Sequence, residues 1–143
     1  MELYLDGVAS EINNASGWNR WQIVKSADFP PGTKLIAVKV VNVFGWAGLL
    51  ASASDNSVVT NESWLVSDTF VAGWNQPEFY DGKWGKAFEQ GANDDHSPWK
   101  RWRSGETLTR ISSSAKWIWN ENTTKDTTPV QQTMYFRLGR SVL

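Results

Sequence analysis

The chain contains no cysteine and only one histidine in 143 residues. Without thiols there can be no disulfide, no cysteine metal site and no thiolate nucleophile, so stability has to come from packing. No Gly-x-Ser-x-Gly elbow, glycine-rich phosphate loop or histidine-rich metal spacing is present, which leaves the familiar hydrolase, nucleotide and zinc chemistries without their residues. Charge of either sign is not in excess. Fourteen Lys and Arg stand against 15 Asp and Glu, a net charge of −1, so no global field favours nucleic acid or an acidic membrane surface. No apolar run approaches the ~18 residues a membrane helix needs. Residues 1–20 carry Glu2, Asp6 and Glu11 and no long apolar run, which is not a signal-peptide pattern. A soluble chain without membrane insertion is expected, its compartment open.

What the sequence has in abundance is tryptophan. Ten occur: Trp18, Trp21, Trp46, Trp64, Trp74, Trp84, Trp99, Trp102, Trp117 and Trp119. An indole combines a large apolar surface, a flat π face and one N–H donor, so it suits both a core and a ligand platform. Three Asn-x-Ser/Thr tripeptides, at Asn14, Asn61 and Asn122, read as loop markers.

The length is that of one ordinary domain, and residues 1–143 read as a single unit. No segment sustains a 3.6-residue apolar period, and no internal repeat of propeller or trefoil length is visible. Instead, short alternating or β-branched runs are separated by turn residues. Glu2–Leu5, the Asp6-Gly7 turn and Val8 read as a hairpin. Trp21–Val24 reads as a strand, and Pro30-Pro31-Gly32 as a firm turn. Lys34–Val41 is nearly continuous in apolar residues, the mark of a central strand. Gly45–Gly48 interrupts, and a further strand is expected over Leu49–Ser54. Short β segments follow at Val58-Val59, Ser63–Val66 and Ala87–Gln90, with a turn-rich stretch over Gly73–Trp84. Residues 91–114 read as a long polar surface loop. Lys116–Asn120 and Thr133–Leu138 are the last strands. The fold class expected is all-β, a sandwich or barrel.

Several of these pieces, taken in order, resemble one family. Leu3-Tyr-Leu-Asp-Gly7, then Lys34-Leu-Ile-Ala-Val38 with Asn42, then Ala47-Gly-Leu49 are similar to the galactose-binding-domain-like jelly roll of modules that accompany glycoside hydrolases such as α-L-rhamnosidases. Ser63–Ser67, Gly73-Trp74, Phe79-Tyr-Asp81 with Trp84 and Ala87, and Pro98-Trp99 continue the resemblance, which covers most of residues 2–99. Ala115–Trp119 and Tyr135-Phe-Arg137 resemble segments that usually begin such a domain, so the order is that of a circular permutant or of a piece of a tandem array. Asp6 stands where the family usually has Asn, and Trp46 where small residues are commoner. The resemblance implies a jelly-roll β-sandwich that binds carbohydrate and catalyses nothing itself. It places Trp64, Trp74, Trp84, Trp117 and Trp119 at patterned aromatic positions, where core packing is their expected role.

Fold alone does not assign a site. Trp46, flanked by Gly45 and Gly48, has few near neighbours of its own chain to cover it and suits a stacking platform for the C–H face of a sugar. Its bland alternative is a plug at the end of the sandwich. Trp18 and Asn19 follow Gly17 in a loop, and Arg20 adds a planar fork of donors. Asn93-Asp94-Asp95-His96 offers clustered polar atoms, but not the spaced oxygens of a calcium loop, and an acidic surface loop explains it equally. Lys100-Arg101-Trp102-Arg103 interleaves basic and aromatic residues as single-strand nucleic-acid grooves do, yet on a chain without net positive charge it does not make a nucleic-acid binder. Glycoside hydrolysis needs two opposed carboxylates, and adjacent Asp94 and Asp95 would diverge.

The expected function is therefore non-catalytic, lectin-like glycan binding through Trp18, Asn19, Arg20, Trp46, Asp94 and His96, toward galactose- or rhamnose-type sugars. No cofactor is expected; a structural calcium would be in keeping with the family, but no ligands for it can be assigned. Shallow sugar sites gain from multivalency, so a homo-oligomer is expected. The alternatives are an assembly module whose aromatics bury against other subunits, and an accessory fragment of a larger glycoside hydrolase.

Overall fold

The apolar run after Thr33 is continuous because its strand is covered on both faces. In the computed structural model, which describes residues 1–14, 25–42, 47–93, 110–121 and 132–139, it forms β3 (Leu35–Asn42). Its neighbours are β1 (Glu2–Leu5) and β8 (Gln132–Gly139), both antiparallel to it. The short β2 (Val8–Ala9) pairs with β1. On the other side, β4 (Leu65–Ser67) pairs with β8, and β5 (Gly85–Lys86) with β4. The result is a six-stranded sheet in the order β2-β1-β3-β8-β4-β5, and β6 (Phe88–Ala92) and β7 (Lys116–Trp119) form a second sheet. Among the described residues the only helical element longer than a single residue is the 3-10 turn Glu11–Asn14, and no helix is long and apolar enough to cross a membrane.

Side chains that alternate along a strand go to opposite faces, and the burial follows that rule. Ile36 and Val38 of β3 and Met134 and Phe136 of β8 meet Leu49, Ala87, Ile118 and Trp119 in one core shared by the two sheets. Trp64 closes it, its indole Nε1 donating to the Val59 carbonyl at 2.9 Å. The alternate residues, Leu35, Ala37 and Tyr135, face the other way and pack with Trp74, Tyr4, Phe79 and Trp84. The six-stranded sheet is thus covered by the second sheet on one face and by residues 70–84 on the other.

Local chemistry fixes the corners. Asp6 and Gly7 adopt positive φ, 50° and 83°, as the favoured two-residue hairpin turn requires. The Asp6 carboxylate also accepts from the backbone N–H groups of Lys34 and Leu35, at 2.9 and 2.8 Å, pinning this turn to the start of β3. The expected Pro30-Pro31-Gly32 turn is present, closed by Thr33 N–H donating to the Pro30 carbonyl at 3.2 Å. At Ala87 the chain leaves the large sheet and enters the small one, β5 and β6 being separated by that one buried residue.

Two expectations are corrected in part. Leu49–Ser54 is not a continuous strand: it makes isolated bridges, Leu49 with Ile118 and Ser52 with Val59, around a turn at Asn56 with φ 61°. Polar Ser and Asp residues there leave little to bury on a second face. Residues 91–93 do not belong to the long loop expected over 91–114, because β6 runs through Ala92 and Asn93 is buried; residues 94–109 of that segment lie outside the described residues. Asn93 Nδ2 donates to the carbonyls of Ile111 and Ser112 at 3.1 and 3.3 Å, holding the two ends of that segment together. The strand expected at Trp21–Val24 lies outside the described residues.

Candidate functional site

Residues 70–84 lie across the outer face of the large sheet, and one side chain from that face holds them. Arg137 of β8 is in register with Ala37 of β3 and Leu65 of β4. A strand arginine ordinarily reaches water, but this one is 3% exposed. Its Nε donates to Asp81 Oδ2 at 2.9 Å. Its Nη1 donates to the carbonyls of Trp74 and Gln76, the latter at 3.0 Å, and its Nη2 to that of Phe79 at 3.4 Å. The guanidinium carbon also stands 5.2 Å from the centre of the Phe79 ring. A fork of five fixed donors is the group suited to gathering several carbonyls of an irregular segment at once.

With the segment held, its aromatic rings dock on those of the sheet. Trp74 meets Tyr135 edge to face at 4.9 Å between centroids and Tyr4 at 5.7 Å. Phe70 tilts over Tyr135 at 6.0 Å. Gly73 makes the turn between them with φ 87°, a conformation that favours glycine.

One row further along the sheet the cover is incomplete. The register aligns Glu2 of β1, Lys39 of β3, Tyr135 of β8 and Ser67 of β4 across the outer face. Between this row and residues 70–75 lies a recess of about 410 Å³, with Tyr4, Phe70, Trp74 and Tyr135 as its aromatic lining and Glu2, Lys39 and Asn75 as its polar lining. Trp74 and Tyr135 are buried and form the floor, whereas Phe70 is 63% exposed at the rim.

The electrostatics of the recess centre on Glu2. Its carboxylate lies 3.6 Å from the Lys39 ammonium, the two side chains 43% and 35% exposed. Partial burial pushes the Tyr4 phenol above its ordinary pKa, and the negative Glu2 carboxylate with its hydrogen bond to the phenol pushes the same way. The Met1 amine, close to both charges, is lowered by burial, against the pull of Glu2. Chemically the recess offers apolar ring faces beside a carboxylate, an ammonium and an amide. No group of three metal-ligating side chains occurs among the described residues.

The residues expected from the sequence to contact ligand, Trp18, Asn19, Arg20, Trp46, Asp94 and His96, all lie outside the described residues. The expected core role of the patterned tryptophans is seen: Trp64, Trp74, Trp117 and Trp119 are buried, and Trp84 packs on Phe79 at 5.9 Å. Sequence reasoning missed the recess, though signals were there. Lys39 is the one charge inside the apolar run Leu35–Val41, and Glu2 and Tyr4 share one face of β1 by the period of two. The chain matches no protein-family model, no curated protein and no solved structure.

Proposed function

We propose that the protein is a non-catalytic carbohydrate-binding module with the jelly-roll sandwich architecture of galactose-binding-like domains, working without a cofactor and taking glycans as partners. The observation that carries this reading is the recess itself. Sugars present apolar C–H patches beside hydroxyls, and their sites pair aromatic faces with a few charged or amide groups. Tyr4 and Phe70 beside Glu2, Lys39 and Asn75 supply that pairing between the sheet face and the segment that covers it. Trp18 and Trp46, expected on loops from the sequence, belong to the same proposal as a second stacking surface. A glycan array probed with the full chain, with Phe70→Ser and with Trp46→Ala, tests it. Binding that weakens in Phe70→Ser assigns the recess, and binding that weakens only in Trp46→Ala assigns the loops. An array without a bound glycan overturns the reading.

A second reading, an assembly module, is favoured by a separate observation. Phe70, Val71 and Tyr80 are 63%, 45% and 76% exposed along one segment, and aromatic residues are enriched at the centres of protein interfaces. Light scattering decides it: a monodisperse monomer removes its premise, while a concentration-independent oligomer that dissociates in Tyr80→Ser supports it.

A further inference from the structure

We infer that the recess selects an uncharged saccharide through a vicinal diol that bridges Glu2 and Lys39; this rests on the glycan-binding reading above. The geometry of the pair is the argument. A direct charge-assisted hydrogen bond closes to ~2.7–2.9 Å, whereas these charges stand 3.6 Å apart. They orient each other without exhausting each other's capacity. The ammonium has three donors and no acceptor, and the carboxylate has about four acceptor sites and no donor. Tyr4, on the same face of β1 as Glu2, lines the recess beside them.

Such a pair complements two adjacent hydroxyls. One donates to Glu2, and its neighbour accepts from Lys39. The oxygens of a gauche diol are about as far apart as two hydrogen-bonded oxygens, ~2.8 Å, so both can be reached without parting the charges widely. The charges on the lining cancel, Glu2 −1 with Lys39 +1, the remaining lining residues being uncharged. The Met1 amine does not line the recess. An acidic sugar therefore meets the Glu2 carboxylate with no surplus cation among the lining residues to offset it, and an amino sugar meets Lys39 with no surplus anion among them. The exposed ring of Phe70 and the half-buried ring of Tyr4 are left for the C–H face.

The test is titration calorimetry of the full chain against methyl hexopyranosides, their monodeoxy derivatives and the matched uronic acids. At least one neutral glycoside is expected to bind, with loss of about tenfold when either diol hydroxyl is removed. Glu2→Gln and Lys39→Met are each expected to weaken it about tenfold, and the double variant little more than either alone. The matched uronic acid is expected to bind more weakly than the neutral sugar and to regain affinity in Glu2→Gln. Both side chains are partly exposed, so thermal melts of the variants should stay near that of the parent. Neutral binding that neither substitution alters, or preference for the uronic acid, overturns the inference while leaving glycan binding in place. Failure of every glycoside to bind overturns both.

Discussion

Asp81 Oδ2 accepts a hydrogen bond from Arg137 Nε at 2.9 Å, joining side chains 56 residues apart in the chain. The arginine side chain is 3% exposed and the aspartate 31%, so the pair sits where the edge of residues 70–84 meets the sheet. The guanidinium serves four acceptors on residues 70–84, of which the Asp81 carboxylate is one, which makes the two partners unequal. Arg137→Met strands Asp81 and the carbonyls of Trp74, Gln76 and Phe79, and should destabilise by about 3 kcal/mol or more. Asp81→Asn takes the counter-charge from the buried guanidinium but keeps an acceptor in place beside the three carbonyls, and should cost less, about 1–2 kcal/mol. Urea unfolding followed by tryptophan fluorescence reads both. Equal losses in the two variants would contradict this arrangement.

Arg137 also marks where sequence reasoning stopped. Alternation along Thr133–Leu138 places Arg137 on the face opposite Phe136, but alternation names a face and not what covers it. The cover comes from residues 70–84, whose glycines and aromatics read only as turn-rich. Elements set by local chemistry were legible: the Asp6-Gly7 hairpin, the Pro30–Gly32 turn, and β3 with its two-sided burial. The recess was not, because Glu2, Lys39 and Tyr135 become neighbours only through the register of three strands from both ends of the chain.

The hairpin turn yields a second prediction. Gly7 has φ 83°, and a methyl group there would also collide with the Gln76 side-chain amide. Positive φ alone costs a non-glycine residue roughly 1–2 kcal/mol, so Gly7→Ala should lose about 2 kcal/mol in urea unfolding once the collision is added. Asp6→Asn retains an oxygen for the Lys34 and Leu35 N–H groups and tolerates positive φ, so it should lie within ~0.5 kcal/mol of the parent. A larger loss would mean that the carboxylate charge, and not the cap, matters.

Beside the second sheet the corresponding node is Thr60, which is fully buried and bonded to Lys116 of β7. Its Oγ1 donates to the Lys116 carbonyl at 2.6 Å and accepts from the Ala51 N–H at 3.2 Å. Thr60→Val keeps the shape and removes both bonds, taking a partner from the Lys116 carbonyl and from the Ala51 N–H. A loss of about 1–3 kcal/mol is expected; Thr60→Ser, which retains the hydroxyl, should recover most of the hydrogen-bonding part. Thermal unfolding of the pair separates the hydroxyl from the methyl group.

Tyr4 gives a dependence on pH. Its phenol is raised in the folded state by burial first and by Glu2 second. For an acid whose folded pKa lies above its unfolded one, the stabilisation is complete below the unfolded value, about 10. It is lost as pH rises through the folded value. The parent should therefore lose stability relative to Tyr4→Phe as alkaline pH crosses that window, and the difference between them should be flat from neutral pH up to it. A widening gap near neutral pH would contradict the assignment.

Phe70 separates binding from folding. At 63% exposure its ring contributes little to the core, and surface substitutions of this kind usually move stability by no more than ~0.5 kcal/mol. Its contact with Tyr135 at 6.0 Å sets it at the rim of the recess, where it could meet a C–H face only if the recess is a sugar site. Phe70→Ser should thus leave the urea midpoint nearly unchanged while weakening a bound glycoside roughly tenfold, the effect of losing one stacking contact of about 1–1.5 kcal/mol. Phe70→Tyr, which preserves the ring, should restore binding. If the serine variant unfolds early instead, Phe70 belongs to the packing of residues 70–84, and the stacking surface must be sought on Tyr4 alone.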